Sequence, residues 1–74
     1  MCITMKIGGY EVSKCNDPDG SFHIKLHMPS DVLISKHKQM EIKNMVNRYF
    51  INEDFFTAEE MPHIPYIFYR IGAV

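Results

Sequence analysis

Residues 36–51 read KHKQMEIKNMVNRYFI, the one segment of the chain with a sustained helical period. Ile42, Met45, Val46, Tyr49 and Phe50 recur at i, i+3, i+4, i+7 and i+8 and so share one face of a 3.6-residue helix. Ser35 stands in front as a favoured N-cap, and Asn52 behind as a residue that can end a helix. Lys36 and Lys38 oppose the helix dipole in the first turn at a small surface cost. The face away from the core carries Met40, Asn44, Asn47 and Ile51. Extending the same wheel backwards puts Leu33 opposite the apolar face. Val32-Leu33-Ile34 therefore reads as a separate turn or short extended piece.

Upstream of this helix the period changes to two. Ile3, Met5 and Ile7 alternate with Thr4 and Lys6; beyond Gly8-Gly9, Tyr10 and Val12 alternate with Glu11 and Ser13. The apolar parity flips across the glycines. A two-residue hairpin turn explains the flip, and so does a glycine bulge within one long strand. The turn preference of Gly-Gly favours the hairpin, which pairs Ile7 with Tyr10, Met5 with Val12, Ile3 with Lys14 and Cys2 with Cys15. That last pair is a non-hydrogen-bonded one, close enough for a disulfide. Compartment argues the other way. MCITMKIGGY lacks the apolar core of a secretory signal, which points to a cytoplasmic protein, and cytosolic thiols are kept reduced. Two free thiols are the expectation.

Asn16-Asp17-Pro18-Asp19-Gly20 is a turn by composition, with Pro at i+1, Asp at i+2 and Gly in the left-handed position. Its acidic residues lack the later ligands of a calcium loop. Ser21 to Met28 follows as the most regular strand, with Phe22, Ile24, Leu26 and Met28 on one face and Ser21, His23, Lys25 and His27 on the other. Past the main helix, Phe55-Phe56 should tuck under the sheet end. Thr57 and Glu60 match a capping box for one short turn that Pro62 ends. His63-Ile64-Pro65 is extended. Tyr66 to Ile71, YIFYRI, closes the chain as a strand with apolar or aromatic residues on both faces.

These elements add up to a single α+β domain over residues 1–74. The expected fold is a small antiparallel sheet of three to four strands with one main helix on one face, in ββ(β)αβ order. The strands are Cys2–Ile7, Tyr10–Lys14, Ser21–Met28 and Tyr66–Ile71. A chain of 74 residues buries only about 60% of the surface its unfolded form exposes, so its stability is marginal and pairing with a second copy is expected.

Eight Lys and Arg against nine Asp and Glu leave a formal charge of −1, which is not the footprint of bulk electrostatic nucleic-acid binding. No apolar run reaches membrane-spanning length. Nine Ile against two Leu and two Ala is the bias of AT-rich coding, as in low-GC bacteria and their viruses. Phosphate loops, nucleophile elbows and paired-cysteine zinc motifs are missing from the sequence. His23 and His27 share a strand face but stand about 13 Å apart, too far to hold one metal. Cys2, Cys15 and His23 could gather at a sheet edge, without the spacing of a zinc site. His37 and His63 read as solvated or capping residues. The expectation is a non-enzymatic protein with no catalytic residues, metal or cofactor.

The two-faced closing strand carries the functional expectation. One helix covers one face of a sheet, and a strand apolar on both faces needs cover on both. Tyr66 and Phe68 with Arg70 are expected on the uncovered face, with Lys25 and His27 at the rim, as a surface for another macromolecule. A protein partner that the chain modulates or inhibits ranks first, given the residue types. Single-stranded nucleic acid ranks second, stacked on the aromatics beside Lys6, His23, Lys25 and His27.

Overall fold

The computed structural model describes residues 1–70. It comprises strands β1 (Cys2–Ile7), β2 (Tyr10–Asn16) and β3 (Phe22–Met28), helices α1 (Ser30–Ile34) and α2 (Lys36–Asn52), a 3-10 turn at Met61–His63, and strand β4 (Tyr66–Arg70). The strands form one sheet in the order β1-β2-β3-β4. Ile71, expected to end the last strand, lies outside the described residues. This is the expected α+β fold. None of its described helices is long and apolar enough to cross a membrane.

Gly8 and Gly9 make a hairpin, not a bulge. Both take positive φ, 58° and 84°, as the two central residues of a tight primed turn must. The register is the one the alternation implies, from Ile7 opposite Tyr10 to Cys2 opposite Cys15. A side chain at Gly8 would also meet Met45 of α2. The second turn closes with a bond from Gly20 N–H to the Asp17 carbonyl (3.0 Å), and Gly20 has φ 90°. The Ser21 amide and hydroxyl both donate to Asp19, holding its carboxyl below the ordinary range.

The sheet is mixed, not wholly antiparallel. β4 runs parallel to β3, with Tyr66 opposite Ile24 and Phe68 opposite Leu26. The reason is the crossover. A chain that leaves β3 at Met28 and returns along α2 re-enters the sheet at the end where β3 began. The parallel ladder starts with Ile24 N–H donating to the Pro65 carbonyl at 3.0 Å.

Residues 30–34 are helical rather than extended. Val32 and Leu33 N–H groups donate to the Pro29 carbonyl, starting a short turn that places both side chains half-buried against the core. The wheel argument against one continuous helix holds. Ser35 is extended (φ −89°, ψ 109°) and separates α1 from α2, and its hydroxyl accepts from Lys38 N–H as an N-cap does.

α2 buries Ile42, Val46 and Phe50 against Val12, Ile24, Leu26 and Met28. Its end is set beyond Asn52. Asp54 takes the left-handed position (φ 59°), Phe55 N–H donates to the Phe50 carbonyl (2.9 Å) and Asp54 N–H to Ile51 (3.1 Å). This is a Schellman motif, with the Phe55 ring packed edge-on against Phe50 at 5.6 Å as its apolar contact. Phe56 does tuck under the sheet, edge-on to Phe22 (5.3 Å) and Phe50 (5.8 Å). The capping box forms as expected: Thr57 N–H donates to Glu60 Oε1 and Glu60 N–H to Thr57 Oγ1.

Candidate functional site

The register across four strands sorts every side chain onto one of two faces. On the helix side lie Ile3, Met5 and Ile7 of β1, Tyr10, Val12 and Lys14 of β2, the even residues of β3, and Tyr66, Phe68 and Arg70 of β4. The outer side carries Cys2, Thr4, Lys6, Glu11, Ser13, Cys15, His23, Lys25, His27, Ile67 and Tyr69. The described helices contribute to the core on the first side, so the second has no covering layer.

This placement divides the expected site. Lys25 and His27 are on the open face. Tyr66 and Phe68 are half-buried on the helix side, and Arg70 is exposed at the end of the same row. The Tyr66 hydroxyl donates to Asn47 Oδ1 of α2, and Lys43 Nζ sits 5.0 Å from the ring centre. Burial pushes the Tyr66 phenol well above its ordinary value. β4 presents Ile67 and Tyr69 to the outside instead, 39% and 41% exposed. Alternation alone could not say which set faced the helix, because both sets are apolar. The partner for a buried hydroxyl, Asn47 on the face of α2 read as outward, was the available signal.

The buried phenol has a measurable signature. Above about pH 10 an unfolded chain ionises Tyr66, whereas the folded chain keeps it protonated. The unfolded state then binds fewer protons, so stability falls as pH rises. The contribution is fully present below about pH 10 and is lost as pH climbs towards the folded value, with a slope of at most about 1.4 kcal/mol per pH unit. In urea titrations across this range, Tyr66→Phe should decline less steeply than the parent. Equal slopes would show that the phenol is not protected.

Tyr69, on the edge strand β4, is the exposed ring of the open face. It stacks on His27 with ring centres 5.6 Å apart and planes at 21°, and Lys25 Nζ lies 5.5 Å from its ring centre. His27 Nε2 is 3.4 Å from Ser13 Oγ, which is 2.9 Å from Thr4 Oγ1. Ser13 is only 4% exposed because its taller neighbours fence it in. A shallow depression of about 240 Å³ beside His27 is lined by Lys6, Glu11 and Pro29 among others. The face therefore offers one aromatic platform, stacked against an imidazole on the neighbouring strand, with one ammonium group, that of Lys25, at its ring.

Cys2, Cys15 and His23 do come together, since Cys15 lies opposite His23. The thiols are not free, contrary to expectation. Cys2 and Cys15 are bonded to each other, their Cα atoms 4.0 Å apart at the close, non-hydrogen-bonded register position. His23 Nδ1 instead meets Asp17 at 2.9 Å. Among the described residues no group of three or more His, Cys, Asp or Glu has metal-holding geometry. His37 is solvated, paired with Glu41 one turn on at 3.0 Å.

Two further features escaped the sequence reading. Lys14 holds its ammonium 5.1–5.7 Å from the ring centres of Phe22, Phe55 and Phe56, so a cation sits where the helix-side row would otherwise be apolar. The Ala58–Pro62 segment also lies along the Met40 side of α2. Between them is a groove of about 370 Å³ lined by Met40, Asn44, Ile51 and Met61 among others. A scan of protein families and searches of curated proteins and solved structures found no significant match to this chain.

Proposed function

We propose that the chain is a non-catalytic binding module whose open sheet face docks on a protein partner and so modulates or inhibits it. The observation behind this reading is the exposed pair Ile67 and Tyr69 on a sheet face that no described helix covers. An aromatic and a branched aliphatic side chain flanked by Lys25 and His27 have the make-up of an interface centre with a polar rim. The anchors are thus Ile67 and Tyr69, with Lys25 and His27 beside them, rather than Tyr66 and Phe68. The formal charge of −1 favours a protein over a polyanion.

Single-stranded nucleic acid is the second reading, supported by the Lys25–Tyr69–His27 arrangement on an open sheet. One experiment separates the two. The purified chain and its Ile67→Ser/Tyr69→Ser variant serve as baits in lysate of the source cell, with a matched titration of labelled single-stranded RNA and DNA. The protein reading requires a partner held by the parent and lost by the equally folded variant. Capture unaffected by the double substitution would reject it. Oligonucleotide binding that strengthens as salt falls and weakens in Lys25→Glu would establish the other reading.

A further inference from the structure

The sheet order leaves β1 with a neighbour on one side only. Its backbone groups divide by parity. In a two-residue hairpin the pair next to the turn exchanges hydrogen bonds, and every second pair after it does the same. Those pairs are Ile7–Tyr10, Met5–Val12 and Ile3–Lys14. The series continues at Met1 and Asn16, which exchange both bonds, at 2.9 and 3.1 Å. The N–H and C=O groups of Cys2, Thr4 and Lys6 therefore point away from β2, at the free edge.

We infer that two copies of the chain join through their β1 edges, antiparallel about a two-fold axis at Thr4, as one eight-stranded sheet. The strand is complementary to itself in this register. Thr4 faces Thr4, and Cys2 faces Lys6 in both directions, so all three outward residues of each copy pair and six backbone bonds form. Ile3 then lies opposite Met5 on the helix side, which covers Ile3, 55% exposed in the single chain. Sliding by one residue would set the helix side of one copy against the outer side of the other. Shifting by two leaves outward groups unpaired. Centring on Lys6 would oppose two ammonium groups.

The edge also lacks most devices that block such pairing. The strand CITMKI has no proline, no bulge and one lysine, next to its last residue. The inference does not depend on what the outer face binds. It does place the two open faces on the same side of the joined sheet, with their Tyr69 residues on strands seven spacings apart, about 34 Å.

The test uses the oxidised 74-residue chain. Sedimentation over a dilution series should give twice the 8.7 kDa chain mass at high concentration. Thr4→Pro should sediment as a single chain with an unchanged circular dichroism spectrum, because the Thr4 N–H carries no bond to β2. Amide exchange provides an independent readout in the parent. The amides of Cys2, Thr4 and Lys6 should be protected at high concentration and released on dilution, while those of Ile3, Met5 and Ile7 stay protected throughout. A parent that remains at 8.7 kDa at every concentration overturns the inference. A dimer whose Cys2, Thr4 and Lys6 amides exchange freely also overturns it, since another surface would then join the copies.

Discussion

Phe50→Ala should cost about 3–5 kcal/mol, the range for removing a buried phenyl ring. Phe50 is fully buried, the largest such side chain, at the point where α2, the Phe55–Phe56 segment and the sheet meet. Three rings pack edge-on against it: Tyr49, Phe55 and Phe56, at 5.9, 5.6 and 5.8 Å. Truncation would leave them facing a void that a backbone pinned by the Schellman bonds cannot close. A domain of this length is held by about 4–11 kcal/mol in total, so the variant should melt at least about 12 °C lower or fail to fold. Met40→Ala is the control on the same helix. Met40 is 63% exposed, and its loss should stay within about 0.5 kcal/mol. Thermal melts of the three proteins decide the matter. A Phe50→Ala chain as stable as the control would mean that the ring is not the centre of the core.

Removing the Cys2–Cys15 bond should cost about 3 kcal/mol, the loop-closure value for the fourteen-residue ring it closes. The effect resides mainly in the unfolded chain, which gains conformations when the crosslink is cut. The folded strands keep their register, since the Gly8-Gly9 turn and the β1–β2 ladder do not depend on the sulfurs. Urea midpoints for the oxidised parent, the reduced parent and Cys2→Ala/Cys15→Ala should therefore place the last two together and well below the first. Intact mass should show two hydrogens fewer in the oxidised form. A reduced protein as stable as the oxidised one would assign the bond no role in folding. In a reducing compartment the protein would operate at the lower of the two stabilities.

Much of this architecture was legible in the sequence, for local reasons. The α2 face is a 3.6-residue pattern with Ser35 in front of it, and both the cap and the buried row are where that pattern puts them. Pro18-Asp19-Gly20 and Thr57–Glu60 each demand a particular backbone and have it, and Gly8-Gly9 takes the hairpin turn that its residues favour over a bulge. The features that were not legible depend on contacts between distant segments. Tyr66 and Ile67 begin two rows of equal apolarity, and only the register against Ile24, with the hydroxyl of Tyr66 reaching Asn47, assigns them to opposite faces. The direction of β4 follows from the crossover, not from its own residues. Asp54 ends α2 from a left-handed position that no side-chain preference announces strongly. Lys14 reads as a polar strand residue until the rings of Phe22, Phe55 and Phe56 close around it.

The first hairpin is shut at both ends, by two glycines at one and a pair of sulfurs at the other. A peptidase that nicked the chain at the exposed Gly8-Gly9 turn would release nothing. The amino-terminal piece would stay tethered through Cys2, and the cut would become visible as two fragments only after a thiol was added.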